Sequence, residues 1–136
     1  MSKTTSENLL GIDFGLKHIG VAVAVAGLPQ PHTTLANNQQ LYQKIQDIVT
    51  THKISKVVIG ISDGKMLSSS KQFGEELKNV LGLPVIYIDE TLSSVEAAER
   101  MRWQKNSQRQ RRPLHEVAAA IILETYLDEV SSFREN

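Results

Sequence analysis

Residues 9–25, LLGIDFGLKHIGVAVAV, contain two apolar runs typical of short β-strands, one on each side of residues 15–17. In the second strand, branched side chains alternate with glycine and alanine, so one face is bulky and the other very small. This pattern predicts a β-hairpin with its turn at residues 15–17 and with both faces covered. Asp13 is the one carboxylate of the first strand. Because an isolated buried carboxylate is costly, Asp13 must be solvated, paired or bound to a cation.

The remainder of the chain alternates strand and helix patterns. Gly27, Pro29 and Pro31 interrupt the strand pattern, and residues 32–35 fit a short third strand at a sheet edge, where proline is tolerated. Apolar runs at residues 56–61 and 84–88 are typical of strands buried on both faces. Helices are predicted where apolar residues recur three and four positions apart. These residues are Leu41, Ile45, Ile48 and Val49; then Phe73, Leu77, Val80 and Leu81; and last Leu114, Val117, Ala118, Ile121, Tyr126 and Leu127.

Boundary residues refine these elements. Asn37 or Asn38 can cap the first helix, and Gly82 is suited to end the second. Residues 62–70 are polar and are predicted as a loop. A capping box at residues 93–96 opens a further helix that continues through Trp103, and Pro113 fits the first turn of the last helix.

Length and composition favour one globular domain. The chain has 136 residues, of which 40% are hydrophobic and 22% charged, so we expect a disordered lead at residues 1–8, a domain at 9–130 and a tail at 131–136.

The 15 basic and 15 acidic residues cancel, so net charge indicates no partner. Without cysteine, disulfides and thiolate metal sites are excluded. With no leader or spanning segment recognised, we expect a cytoplasmic protein without membrane contact.

Strand–helix–strand crossovers place the later strands parallel to the first, with helices on both faces of the sheet. Ligands of such sheets collect beyond the carboxyl ends of the parallel strands. Those ends carry Asp13, Ser62 with Asp63, and Asp89 with Glu90. Clustered carboxylates repel one another unless a cation lies between them, and oxygen ligands favour Mg²⁺ or Mn²⁺. Two such ions can catalyse phosphodiester hydrolysis, which points to a nuclease.

A basic segment supports a nucleic-acid partner. Residues 99–112, ERMRWQKNSQRQRR, contain six basic residues, one acidic residue and Trp103. Cations that neutralise phosphates, together with an aromatic ring that stacks on bases, are typical of nucleic-acid binding. The alternative is a solvated, charged helix end followed by a linker. Arg109 is a candidate phosphate contact in this segment.

Four segments resemble the YqgF family of pre-16S rRNA nucleases, also described as Holliday junction resolvase-like proteins. They are GIDFGLKHIGVAVA, KVVIGIS, LPVIYIDETLSSVEA and HEVAAAIILETYL, in the order and spacing of that family. The resemblance implies an α/β RNase H-like fold, a five-stranded mixed sheet with helices on both faces. It also implies an endonuclease that matures the 5′ end of pre-16S rRNA, with four-way DNA junctions as the alternative substrate. The implied partners are structured RNA and the ribosome. We expect a monomer or weak homodimer.

The resemblance further implies a three-acid site for two Mg²⁺ or Mn²⁺ ions. Asp13 and Glu90 occupy the first two family positions, but His115 stands where the family usually has aspartate. Three alternatives follow: His115 is a ligand or proton carrier, Glu116 substitutes for the missing acid, or the chain is a non-catalytic nucleic-acid-binding module. Adjacent helix positions point about 100° apart, which disfavours Glu116. We expect His115 to complete the site, and nitrogen ligands favour Mn²⁺ over Mg²⁺.

Lys17 and His18 mark a second departure, because the family commonly has arginine before the Ile-Gly pair. Histidine keeps hydrogen-bonding capacity but lacks the guanidinium fork. Both residues are candidate contacts with the substrate backbone. The resemblance also implies that Arg111 and Arg112 contact phosphates.

Overall fold

The computed structural model describes residues 7–61, 66–89 and 114–135. Its five strands are β1 (Leu9–Asp13), β2 (His18–Val25), β3 (Leu28–Ala36), β4 (Lys56–Ile61) and β5 (Val85–Asp89). They form one sheet in the order β3-β2-β1-β4-β5, in which β2 is antiparallel to β1 and β3, and β4 is parallel to β1 and β5. The described helices are α1 (Leu41–His52), α2 (Met66–Leu81) and α3 (Leu114–Glu135).

This architecture confirms the predicted fold class, a five-stranded mixed sheet with helices on both faces. The predicted helix at residues 93–103 and Pro113 lie outside the described residues. None of the helices in the described ranges is long and apolar enough to cross a lipid bilayer.

Strand β2 separates two hydrophobic cores. Its branched residues Ile19, Val21 and Val23 pack with side chains of α1 and α2, including Leu41 and Leu77. Its small residues, Ala22 and Ala24, pack on the opposite face with α3, in a cluster that includes Ala119, Ala120, Ile122 and Leu123. The prediction that both faces of the hairpin are covered is confirmed. The alternation of bulky and small side chains therefore decides which helices lie on which face.

Helix α3 lies very close to the sheet because two glycines face it. A Cβ atom built on Gly20 would overlap the backbone carbonyl of His115, and one on Gly11 would lie 2.7 Å from the carbonyl oxygen of Ala119. Real Cβ atoms do not approach backbone atoms so closely. The first half of α3 is consequently buried around most of its circumference, more broadly than the predicted face, which omitted Ala119, Ala120, Ile122 and Leu123.

We expect Gly20→Ala to destabilise the protein by about 3 kcal/mol, because the added methyl group must push α3 away from the sheet. Urea unfolding measures the change, with Val25→Ala as a control on the exposed end of the same strand. A change below about 0.5 kcal/mol would contradict the close packing of α3 on β2.

Strand β3 is longer than predicted. It spans nine residues instead of four and begins directly after a two-residue turn in which Ala26 and Gly27 have φ of 56° and 78°. Positive φ at both positions gives a turn that matches the twist of paired strands. The prolines Pro29 and Pro31 therefore lie inside an edge strand instead of interrupting the hairpin. A register shift between Val21 and Ala22 accommodates the irregular pairing.

Several predicted boundaries also differ. The N-cap of α1 is Gln40, with no side-chain cap, although Asn38 Oδ1 accepts a hydrogen bond from the Gln40 backbone at 2.9 Å. Helix α2 begins at Met66, inside the predicted loop, and Val80 is exposed. Gly82 follows α2 with φ of 69°, as predicted.

Strand and chain ends show further differences. β4 is buried as predicted, whereas β5 is an edge strand of which only Ile88 is fully buried. Asn8, placed in the predicted disordered lead, donates to the His52 carbonyl at 2.9 Å. Helix α3 continues to Glu135, through most of the predicted tail.

Candidate active site

Asp13 is the last residue of β1 and lies on the face of the sheet that α3 covers. In β1, Leu10 and Ile12 point into the core beneath α1 and α2, so the alternation of a strand directs Asp13 to the other side. Its side chain is 15% exposed. Below it, the ring of Phe14 packs against Phe73 with 5.0 Å between centroids, which anchors the chain immediately after β1.

His115 meets Asp13 from the first turn of α3. The Nδ1 atom of His115 lies 3.2 Å from Oδ2 of Asp13, and the histidine side chain is half exposed. The two residues are 102 positions apart in sequence. Their contact depends on Gly20, which pairs with Asp13 in the sheet and leaves room for the backbone of His115. The structure thus brings together two of the three residues predicted to form the site.

His18 and Lys17 extend the site along the β1–β2 turn. The His18 and His115 rings are nearly parallel, with an angle of 27° and 6.2 Å between centroids. Both His18 and Lys17 are exposed. Asp13, His115 and His18 therefore form a continuous polar surface from the partly buried carboxylate to solvent.

Glu116 points to a different part of the sheet. It is buried, with 7% exposure, and its Oε2 accepts a hydrogen bond from the Thr34 hydroxyl at 3.3 Å. Thr34 lies on β3, and Gly20 of β2 pairs with both Thr34 and Asp13. His115 and Glu116 consequently reach opposite neighbours of β2, one to β1 and the other to β3. The structure does not place Glu116 beside Asp13.

The remaining predicted site residues are Glu90, Arg109, Arg111 and Arg112, all of which lie outside the described residues. The same holds for Ser62 and Asp63. Asp89 ends β5 at the same sheet edge as Asp13, with β4 between them. Within residues 7–61, 66–89 and 114–135, no group of three or more histidine, cysteine, aspartate or glutamate residues is arranged to hold a metal ion.

The Asp13–His115 pair nevertheless has the donor atoms and separation of two metal ligands. Ligand atoms at adjacent corners of an octahedron with bonds of about 2.1 Å are about 3 Å apart. The observed Oδ2–Nδ1 distance of 3.2 Å fits that spacing. A carboxylate oxygen suits Mg²⁺ and Mn²⁺ alike, and an imidazole nitrogen shifts the preference towards Mn²⁺. These two residues therefore fit a divalent cation.

Asn37 is a site-supporting residue that sequence reasoning did not identify. The sequence predicts it only as a helix cap, whereas in the structure its backbone N–H and its side-chain amide both donate to carbonyls of the β1–β2 turn. Thr34, the partner of Glu116, was missed as well. Neither contact leaves a signal in local sequence, since both depend on how β3 is aligned with β2.

A family model described as Holliday junction resolvase, RuvX, matches residues 7–129. The chain belongs to the RuvX family. A protein of Sulfurihydrogenibium sp. (strain YO3AOP1), named "Putative pre-16S rRNA nuclease", is 34% identical over 137 residues, covering 93% of this chain and 94% of the relative. Proteins with the same name from Agathobacter rectalis and Nitrosococcus oceani are 33% and 32% identical, covering 93% of this chain and 98% and 90% of theirs.

Solved structures show the same fold as this RuvX-family chain. The RuvC protein of T. thermophilus, in complex with a Holliday junction substrate, superimposes with a TM-score of 0.67 at 16% identity, covering 93% of this chain and 96% of RuvC. A second Thermus thermophilus RuvC structure gives 0.66 at 14% identity, covering 92% and 96%. The resemblance to the YqgF family and the predicted fold are confirmed.

Proposed function

We propose that this RuvX-family chain is a metal-dependent endonuclease that hydrolyses nucleic-acid phosphodiester bonds. The observation that carries the proposal is the contact between Asp13 and His115 at the carboxyl end of β1. A partly buried carboxylate and a half-exposed imidazole, held together at the edge of an α/β sheet, can receive both a cation and a substrate.

Asp13, Glu90 and His115 are the residues that would hold Mg²⁺ or Mn²⁺, as one or two ions. When bound, these cations activate a water molecule and stabilise the negative charge of the leaving oxygen. In hydrolysis, the water oxygen forms a bond to phosphorus, one phosphorus–oxygen ester bond breaks, and the leaving oxygen takes up a proton. In the tautomer that carries its proton on Nε2, His115 would offer Nδ1 to the cation beside Oδ2 of Asp13, which lies 3.2 Å away. Glu116, bonded to Thr34, secures the start of α3 against β3.

Basic residues around this pair would bind the substrate backbone. Lys17 and His18 are exposed where the chain passes from β1 to β2, a few residues after Asp13, and can contact phosphates. Arg109, Arg111 and Arg112 are proposed as further phosphate contacts on the basis of their sequence position alone. Backbone contacts of this kind position a substrate without reading its sequence.

The substrate that we propose is the 5′ region of precursor 16S rRNA, which implies a cytoplasmic protein that meets ribosome precursors. The names of the three relatives, all at least 32% identical, support this choice. A four-way DNA junction is the second candidate, because the family itself is described as a Holliday junction resolvase. Symmetric cutting of a junction would need a dimer, whereas RNA maturation requires only a monomer.

Cleavage of two end-labelled substrates, a precursor 16S rRNA 5′ segment and a four-way DNA junction, distinguishes these functions. Each is incubated with Mg²⁺, with Mn²⁺ or with chelator. We expect metal-dependent cutting of the RNA at a defined position and little cutting of the junction. Efficient cutting of the junction alone would instead assign the resolvase function. RNA binding that is insensitive to chelator, with no product under any condition, would contradict the nuclease proposal and indicate a non-catalytic binding module.

A further inference from the structure

The turn between β1 and β2 displays an apolar side chain beside the candidate active site. Leu16 is 65% exposed, although leucine is ordinarily buried. It is three residues from Asp13, so their Cα atoms are at most about 11 Å apart. Lys17, also exposed, follows it directly. The turn therefore presents one apolar and one cationic side chain where a substrate held by Asp13 and His115 would pass.

Two hydrogen bonds and the close approach of Gly15 to His18 stabilise the conformation of this turn. The backbone N–H of Asn37 donates to the Lys17 carbonyl at 2.9 Å, and the Asn37 side-chain amide donates to the Gly15 carbonyl at 3.2 Å. Gly15 lies so close to His18 that an added Cβ would be 2.5 Å from the His18 carbonyl oxygen. The residues on both sides of Leu16 are therefore bonded to Asn37, while the side chain of Leu16 itself is exposed.

An isolated exposed leucine needs no special explanation in general. Leu16 differs from the other large exposed hydrophobic residues of the described ranges in its position. Val25 and Leu28 flank the two-residue turn at the opposite end of the sheet, and Val80 lies near the end of α2. Leu16 alone among these four belongs to the turn that adjoins Asp13 and His18.

We propose that Leu16 contacts a nucleobase next to the scissile phosphate and wedges it away from its neighbour. The inference rests on the proposed nuclease function and adds a determinant of where the strand is cut. An aliphatic side chain offers no hydrogen bond to a phosphate, so its favourable partner in a nucleic acid is the face of a base or a sugar. Apolar side chains inserted at base steps partly unstack them. Lys17 would hold the adjacent phosphate while Leu16 occupies the opened step.

The test uses precursor 16S RNA carrying the fluorescent base 2-aminopurine on either side of the mapped cut, because this base brightens when it unstacks. Binding is measured with Asp13→Asn protein, which is expected not to cut the RNA. The same protein with Leu16→Ala should lose the fluorescence rise, and Leu16→Met should restore it. With Asp13 intact, Leu16→Ala should lower kcat/KM for RNA cleavage about tenfold, the loss expected for most of one leucine contact.

Leu28→Ala is the matched control, since Leu28 is 61% exposed at the far end of the same sheet. It should leave both the fluorescence and cleavage unchanged. If Leu16→Ala, like Leu28→Ala, changes neither the fluorescence rise nor the cleavage, the proposed role of Leu16 is wrong and the nuclease function is unaffected. A fall in cleavage with the fluorescence rise retained would also overturn it, because Leu16 would then act without opening the base step. If wild-type protein neither binds nor cuts the RNA, both the inference and the proposed substrate fail.

Discussion

Replacement of Asp13 by asparagine is expected to lower the rate of RNA cleavage by about a thousandfold or more, which corresponds to about 4 kcal/mol of transition-state stabilisation. Asparagine keeps the shape of the side chain and one oxygen that can accept from His115, but it lacks the negative charge that binds a divalent cation. Single-turnover cleavage measures the loss. Circular dichroism melting should show a midpoint close to that of the wild type, because the side chain contributes no core packing.

Asp47→Asn provides the matched control. Asp47 is an exposed carboxylate on α1 that accepts a hydrogen bond from Gln43 at 3.1 Å, on the face of the sheet opposite α3. Its replacement removes the same charge from the same chain without touching the site. If the cleavage rate of the Asp13→Asn variant lies within tenfold of that of the Asp47→Asn variant, Asp13 has no catalytic role. A matching fall in both variants would indicate a general effect of net charge on RNA binding.

The elements that were predicted well are those in which local pattern and tertiary environment agree. The run at residues 56–61 is buried on both faces because β4 is a central strand, and the alternating small and branched residues of β2 match the two layers that cover it. Strand β3 was predicted poorly because proline is usually a sign of interruption. Here Pro29 and Pro31 lie in an edge strand. That strand begins directly after a turn in which Ala26 has a positive φ.

The site shows the same division. Asp13 could be identified from sequence, since a carboxylate among apolar strand residues requires a partner wherever the strand lies. The sequence favours His115 over Glu116 through its position in the motif and through helix geometry. The contact itself could not be predicted, because it depends on the position of α3 over Gly20, which places His115 beside Asp13. Asn37 was hidden for a similar reason, as its bonds join residues about 20 positions apart.

His115 carries the second large effect that we expect. His115→Ala should lower cleavage about a hundredfold, because it removes one of the residues that would hold the cation and leaves Asp13 and Glu90 to do so. His115→Asp should cleave in Mg²⁺ much faster than His115→Ala does. Its ratio of activity in Mn²⁺ to activity in Mg²⁺ should be lower than that of the wild type. An all-oxygen site matches Mg²⁺, whereas an imidazole nitrogen favours Mn²⁺. Electron paramagnetic resonance of Mn²⁺ measures binding directly and does not depend on turnover.

Glu116→Gln separates the two neighbouring residues in that experiment. Glutamine retains an oxygen that can accept from Thr34, so the start of α3 should remain in place and Mn²⁺ affinity should change little. If His115→Ala leaves Mn²⁺ affinity unchanged while Glu116→Gln weakens it, the carboxylate must turn towards Asp13 when a cation binds, and the resting contact with Thr34 would be a state that the metal displaces. The contact between His115 and Asp13 at 3.2 Å leads us to expect the opposite order.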